Sequence, residues 1–420
     1  MTPSAQPRGK ESAWGAGSAR GTATVLAVSA FADLAVFVVV PVLAVYLTGS
    51  LGLSVTMVGV ISTCAFASNM FGALAGGIIV DRVGAKLSML AGLALQVLGV
   101  SLFAFSTQFP VLCLLYACAG LGYSLFTTAS QAELSALAGR DGVDAVFSKR
   151  AVASNLGISL GVLVGGVLLQ GDIPRLAFAI AAGLAVVNAA FVAVLVPGRA
   201  VGTDEEPLSV RKMLQSALKD RAFLGFNLSV LGVWVIYALY LLNIPLFVDN
   251  AFPRVNVGVI YLVNTLAIVA LQVPLIRWLA RVLSGPRIIA VGAALILGAY
   301  LVLWRAQDPW LLFAAVFVFT IGEILTLPLI PSHVSRIAPA ENVGSYLGVT
   351  MVGRYLGFAI GNILGGWLAD KSLAATGGVR EAWLGYALIA VVALMALAPV
   401  VARGPQQEAT AAEATTEMGV

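Results

Sequence analysis

The sequence predicts an all-α integral membrane protein, with twelve transmembrane helices in two pseudo-symmetric six-helix bundles. Three observations predict it. Of 420 residues, 60% are hydrophobic and only 10% charged, well outside the balance of water-soluble domains. The apolar residues come in runs of roughly 18 to 25, the length that crosses a hydrocarbon core of about 30 Å at 1.5 Å per residue. A register of small residues also recurs 200 positions apart.

Taken in order, residues 1–23 are small and polar with Arg8, Lys10 and Arg20, and read as a disordered cytoplasmic tail. Six apolar runs follow at 24–47, 56–80, 87–106, 109–131, 148–170 and 174–197, making an N-terminal bundle over 24–197. The first is longer than the apolar core of a signal peptide and carries Asp33. A longer, more charged connection at 198–221 holds Asp204, Glu205, Glu206 and Pro207, then a basic amphipathic stretch, and reads as a cytoplasmic linker loop. The C-terminal bundle, 222–402, takes its spans at 222–248, 256–278, 286–305, 309–331, 344–370 and 381–402. Residues 403–420, rich in Gln, Glu, Ala and Thr, read as a second disordered cytoplasmic tail.

Lys and Arg set the orientation. Eighteen of the 24 fall on the side of the amino terminus, five on the other, and Arg354 lies inside a span. Cytoplasmic loops carry the excess of positive charge, so both termini are expected in the cytoplasm and the chain in the cell (inner) membrane.

Composition excludes several functions. Cys64, Cys113 and Cys118 all lie in apolar runs without zinc-ligand spacing, so no disulfide framework, metal site or cofactor is expected. A single histidine, His333, sits near a helix end and reads as structural. The net charge of +4 gives no reason for a nucleic-acid partner. The chain has no phosphate-binding loop and no nucleophile–base pair, so neither ATP-driven pumping nor enzymatic chemistry is expected.

The repeat is carried by glycine. Leu156, Gly157, Gly161, Gly165 and Gly166 are answered by Leu356, Gly357, Gly361, Gly365 and Gly366, and Gly122 by Gly322. Small residues four apart allow close helix packing in membranes. The shared register implies duplication, from which transporters build a path near the midplane.

After the second span the chain reads Gly77-Ile78-Ile79-Val80-Asp81-Arg82-Val83-Gly84-Ala85-Lys86, which resembles the loop signature of the major facilitator superfamily. The resemblance implies the major facilitator fold, with Gly77, Asp81, Arg82, Gly84 and Lys86 as a gating loop that latches the bundles on the cytoplasmic side. The related loop in the second half, at 280–287, lacks the aspartate, Ala280 standing there. The glycine run of the fifth span is similar to the signature of drug:proton antiporters, with Val162 where that family has proline. In the fourth span Tyr116 replaces an arginine tied to proton coupling in that branch. Gly322-Glu323-Ile324-Leu325-Thr326-Leu327-Pro328 resembles a segment of bacterial drug exporters.

Only Asp33, Glu323 and Arg354 are ionisable and well inside spans. A charge at the bilayer centre costs about 2.5–3.5 kcal/mol on insertion scales, which argues for a function facing the bundle interior. Asp33 and Glu323 are the candidate proton sites, with Arg354 as their partner or an anion contact. Phe37, Tyr123, Asn155, Tyr237, Tyr240, Asn264 and Gln272 are the candidate lining of a substrate cavity. The resemblance implies a monomeric secondary transporter in the lipid bilayer that exports a small amphipathic compound in exchange for protons. A proton-coupled importer of a nutrient is the alternative that Val162 and Tyr116 keep open.

Overall fold

The structure, a computed structural model, describes residues 18–198, 217–338 and 343–417. The described chain is helical throughout. Its helices are α1 (Ala19–Val45, continued by a π-helical turn at Tyr46–Ser50), α2 (Val55–Val83), α3 (Ala85–Phe103), α4 (Phe109–Gln170), α5 (Pro174–Leu195) and α6 (Arg221–Ala251). They continue as α7 (Val257–Leu279), α8 (Gly285–Arg305), α9 (Pro309–Thr326), α10 (Leu329–Ile337), α11 (Val343–Thr376) and α12 (Ala382–Glu417). Twelve segments among the described residues are long and apolar enough to span a bilayer, α4 supplying two of them and α9 with α10 forming one. This is the expected all-α membrane architecture.

Local chemistry sets where the helices begin. Ser18, Asp220 and Asp308 each accept a hydrogen bond from a backbone N–H three residues on, at 3.1, 3.0 and 3.0 Å. Asn256 accepts from Gly258 at 2.7 Å. These caps satisfy N–H groups that have no partner inside the helix. Proline opens α4, α5, α8 and α9 in the first turn, where its missing N–H does no harm. Pro328 separates α9 from α10 for the converse reason.

The chain divides into two compact units, Met1–Tyr46 with Cys64–Pro207, and Leu47–Thr63 with Leu208–Val420. In the first, α1 packs on α4 and α5, and α3 on the same two helices. In the second, α6 packs on α11 and α12, α8 on α9 and α12, and α7 on α9.

Glycine sets these distances. A methyl group added at Gly161 would stand 2.6 Å from the Leu34 carbonyl oxygen, and the same α1 backbone faces Gly157 and Gly165. At the repeat-related positions, Gly361 would meet the Val235 carbonyl at 2.6 Å, and Gly357 would meet Trp234 at 2.5 Å. Gly365 faces Asn243 and Leu239, and Gly166 is buried. A second pair of seams joins Gly92 to Gly122 and Gly292 to Gly322. Gly366 departs from the pattern and faces the backbone of Val55 and Thr56 at the start of α2.

Several boundaries differ from those read in the sequence. The expected loop between spans four and five is continuous helix in α4, because the stretch contains no proline to interrupt the backbone ladder. Helix α12 is assigned as far as Glu417, through Gly404-Pro405 and the Ala-, Gln- and Glu-rich stretch after it. Helix α1 begins at Ala19, ahead of the expected 24, because Ser18 caps it. The rest of the expected amino-terminal tail (1–17), most of the linker loop (199–216) and residues 418–420 lie outside the described residues.

Candidate functional site

Each unit holds a buried carboxylate whose hydrogen-bond donors are neutral. Asp33 of α1 is 1% exposed. The Tyr123 hydroxyl donates to its Oδ1 at 2.6 Å, and the Ser154 hydroxyl donates to its Oδ2. Both donors belong to α4, from its first and second membrane segments, so the two glycine seams that bring α4 against α1 and α3 also position the donors. Arg150, one turn before Ser154, is close enough to act electrostatically on Asp33, and its Nε is buried without a hydrogen-bond partner.

Glu323 of α9 is 9% exposed. It lies in the last turn before the Pro328 break, where its own carbonyl accepts from Leu327 N at 3.0 Å. Tyr237 of α6 donates its hydroxyl to Oε1 at 2.9 Å. Asn264 of α7 donates to Oε2 at 2.8 Å and to the Thr320 hydroxyl at 2.9 Å. Three helices therefore converge on one carboxylate.

The surroundings of Glu323 are aromatic. Tyr240 stacks on Phe319 with ring centroids 3.5 Å apart, and Tyr237 lies between Phe319 and Phe358 at 6.0 and 5.8 Å. Arg354 of α11 sits with its guanidinium carbon 5.4 Å from the Trp234 ring and 5.6 Å from Phe358. Among the described residues no ion pair joins Arg354 to Glu323, and two cation–π contacts hold it instead. The indole N–H of Trp234 and the hydroxyl of Tyr261 are buried without hydrogen-bond partners in the same unit.

The other expected lining residues separate into two groups. Tyr123, Tyr237 and Asn264 touch a carboxylate and Tyr240 joins the ring stack, as above. Phe37 is half-buried with its backbone against Gly161. Asn155 is half-buried beside Ser154, and Gln272 lies eight residues beyond Asn264 on α7, about 12 Å along the helix. Neither of these two amides makes a hydrogen bond to the carboxylates.

The gating-loop residues lie at the end of α2. Gly84 has φ +87° and opens α3, a conformation that a side chain would strain. Lys86 donates to the Ala193 carbonyl at 2.7 Å, tying this loop to the end of α5. Asp81 and Arg82 are exposed, and a methyl at Gly77 would meet open space. His333 packs on Phe226 at 4.7 Å between ring centroids, and the three cysteines are free thiols.

Sequence reasoning overlooked Ser154, Thr320 and Arg150. Ser154 and Thr320 are small hydroxyls indistinguishable in sequence from the many that bond back to their own helix. Arg150 stands at the start of the expected fifth span and was counted only among the positive charges on the side of the amino terminus. One signal was available: Ser154 and Arg354 are 200 residues apart, as are Tyr123 and Glu323.

Comparison with known proteins agrees with this architecture. The family model described as Major Facilitator Superfamily matches residues 25–361 and 251–417. The chain is 29% identical over 342 residues to the multidrug resistance protein MdtH of Cronobacter sakazakii, covering 81% of this chain and 84% of the relative. It is 28% identical to MdtH of Salmonella typhimurium over 370 residues, covering 87% and 90%. Among solved structures, the nucleoside transporter NupG superposes with a TM-score of 0.77 at 14% identity, over 90% of this chain and 98% of that one. The peptide transporter POT in complex with sulfate gives 0.75 at 17% identity, over 92% and 94%. At these identities the structural likeness speaks for the fold alone.

Proposed function

The chain belongs to the Major Facilitator Superfamily, and we propose that it exports a small amphipathic compound across the cell membrane in exchange for protons, by alternating access of two six-helix bundles. One observation carries the reading. Each unit buries a carboxylate against a tyrosine hydroxyl, at 2.6 Å for Asp33 and 2.9 Å for Glu323, and the other hydrogen-bond donors are neutral too. A carboxylate held by hydroxyl and amide donors keeps those neighbours whether or not it carries a proton, because a hydroxyl can turn from donor to acceptor. A permanent ion pair would fix the charge. The multidrug resistance proteins among the relatives favour export of varied compounds.

Substrate contact falls to the second unit in this reading. Tyr237, Tyr240, Phe319 and Phe358 offer an aromatic wall, and Arg354 serves as the contact for a negatively charged group of the substrate. A guanidinium stays charged in proteins, and rings alone replace only part of an ionic partner. The excess of Lys and Arg on one side supports cytoplasmic termini.

Inverted membrane vesicles provide the test. With an imposed pH gradient, wild type accumulates a fluorescent amphipathic probe, whereas Asp33→Asn and Glu323→Gln do not. Accumulation indifferent to the gradient would overturn proton coupling. The importer reading draws on Tyr116, which packs on Phe103 at 5.5 Å where the antiporter branch has an arginine. It predicts that cells lacking the protein accumulate less substrate, and export predicts more.

A further inference from the structure

At the end of α11 the chain reads Gly365-Gly366-Trp367-Leu368-Ala369-Asp370-Lys371, and at the end of α2 it reads Gly76-Gly77-Ile78-Ile79-Val80-Asp81-Arg82. Both are two glycines, three apolar residues, an aspartate and a base. The second copy lies outside the 200-residue register, which puts the neutral Gln170 opposite Asp370 and Ala280 near Asp81's counterpart.

Asp370 is engaged. Its Oδ1 accepts from Val55 N at 2.7 Å, and its Oδ2 accepts from Thr56 N at 2.9 Å and from the Thr56 hydroxyl at 2.5 Å. These are the first two residues of α2, whose N–H groups have no partner within the helix. The local cap does not reach them: the Ser54 hydroxyl accepts only from Met57 N, at 3.2 Å. A carboxylate from more than 300 residues away thus completes the cap, and it meets the positive end of the helix dipole.

A seam continues below it within the second compact unit. The glycine at 366 admits the Val55 and Thr56 backbone, the glycine at 59 admits the Asn362 carbonyl, and the Thr63 hydroxyl donates to the Ala359 carbonyl at 3.3 Å. Residues 47–63 belong to that unit while the rest of α2 belongs to the other. The polar part of the attachment is therefore one aspartate and the Thr63 hydroxyl, beside close backbone approaches at the two glycines.

We propose that Asp370 is a gating residue for transport, the releasable clasp that holds the start of α2 to α11 on the membrane face opposite the Asp81 loop. Release of Val55 and Thr56 frees α2 from the second unit and opens that face. The two aspartates of the repeated motif then serve opposite faces, at the two ends of α2. The inference rests on the alternating-access part of the proposed function and on neither the substrate nor the proton.

Hydrogen exchange of the full chain in lipid nanodiscs tests it. In Asp370→Asn, exchange at residues 55–57 rises at least about tenfold, and exchange at residues 81–87 falls as the opposite face closes; Asp370→Glu restores both. Thr56→Val, which removes one donor and leaves the carboxylate, gives the same changes with smaller amplitude, and covers the case in which Asp370→Asn does not fold. Faster exchange at 55–57 with 81–87 unchanged would reduce Asp370 to a helix cap, and unchanged exchange at both would remove the clasp altogether. If vesicles show no proton-driven accumulation while the two exchange changes occur, the export reading fails and the clasp stands.

Discussion

The Asp33 and Glu323 centres are built on the same glycine framework with their chemistry exchanged. In the first unit the carboxylate is on α1 and the phenol that holds it is on α4; in the second the phenol is on α6 and the carboxylate on α9. Tyr123 and Glu323 occupy repeat-related positions, as do Ser154 and Arg354. Two diverged copies have thus kept a carboxylate–phenol pair while trading which helix supplies which half. They differ in surroundings: Asp33 has hydroxyls and the nearby Arg150, whereas Glu323 has an amide, a ring stack and the caged Arg354. In the proposed function both centres exchange protons and the second contacts substrate.

The largest expected effect removes the charge itself. Glu323→Gln and Asp33→Asn each lower the gradient-driven initial rate in inverted vesicles by about 10- to 100-fold, the loss of a charged hydrogen-bonded group being worth about 1.5–3 kcal/mol. Equal losses would make the centres equivalent in coupling; a loss in only one would break the comparison. Next come the seams. Gly161→Ala and Gly361→Ala each press a methyl on a carbonyl oxygen at 2.6 Å, and each lowers stability by about 1–3 kcal/mol in thermal unfolding of the purified protein. A smaller loss at one position would show that its unit yields more readily.

Removal of the phenol hydroxyl is milder. Tyr123→Phe and Tyr237→Phe each slow transport about three- to tenfold, from about 0.5–1.5 kcal/mol for a hydrogen bond. If Arg354 contacts substrate, Tyr237→Phe also raises KM for an anionic probe while Tyr123→Phe leaves it unchanged. The smallest effect is Gly77→Ala, which meets open space. It stabilises by about 0.5–1 kcal/mol, as alanine does over glycine in a helix interior, and serves as the control for the seam variants.

The legibility of the site follows from the kind of signal each residue gives. Asp33, Glu323 and Arg354 stood out because charge is rare in an apolar run. Tyr123, Tyr237 and Asn264 were visible as polar or aromatic residues in spans, without their partners. The pairing of Arg354 with Trp234 was not legible, since it depends on how α11 packs on α6, whereas Phe358 stands one turn on in the same helix. Ser154 was missed because a serine in a membrane helix ordinarily bonds to its own backbone, as Ser159 does to Asn155.

By itself the sequence determined the membrane-spanning helices, their number and the seams on which they pack. These follow from local quantities: run length against bilayer thickness, and the absence of a side chain at regular intervals. Only the tertiary structure decided which hydroxyl meets which carboxylate, and that Asp370 caps a helix begun 315 residues earlier. Such bonds form between groups far apart in the chain, and no local pattern encodes their distance.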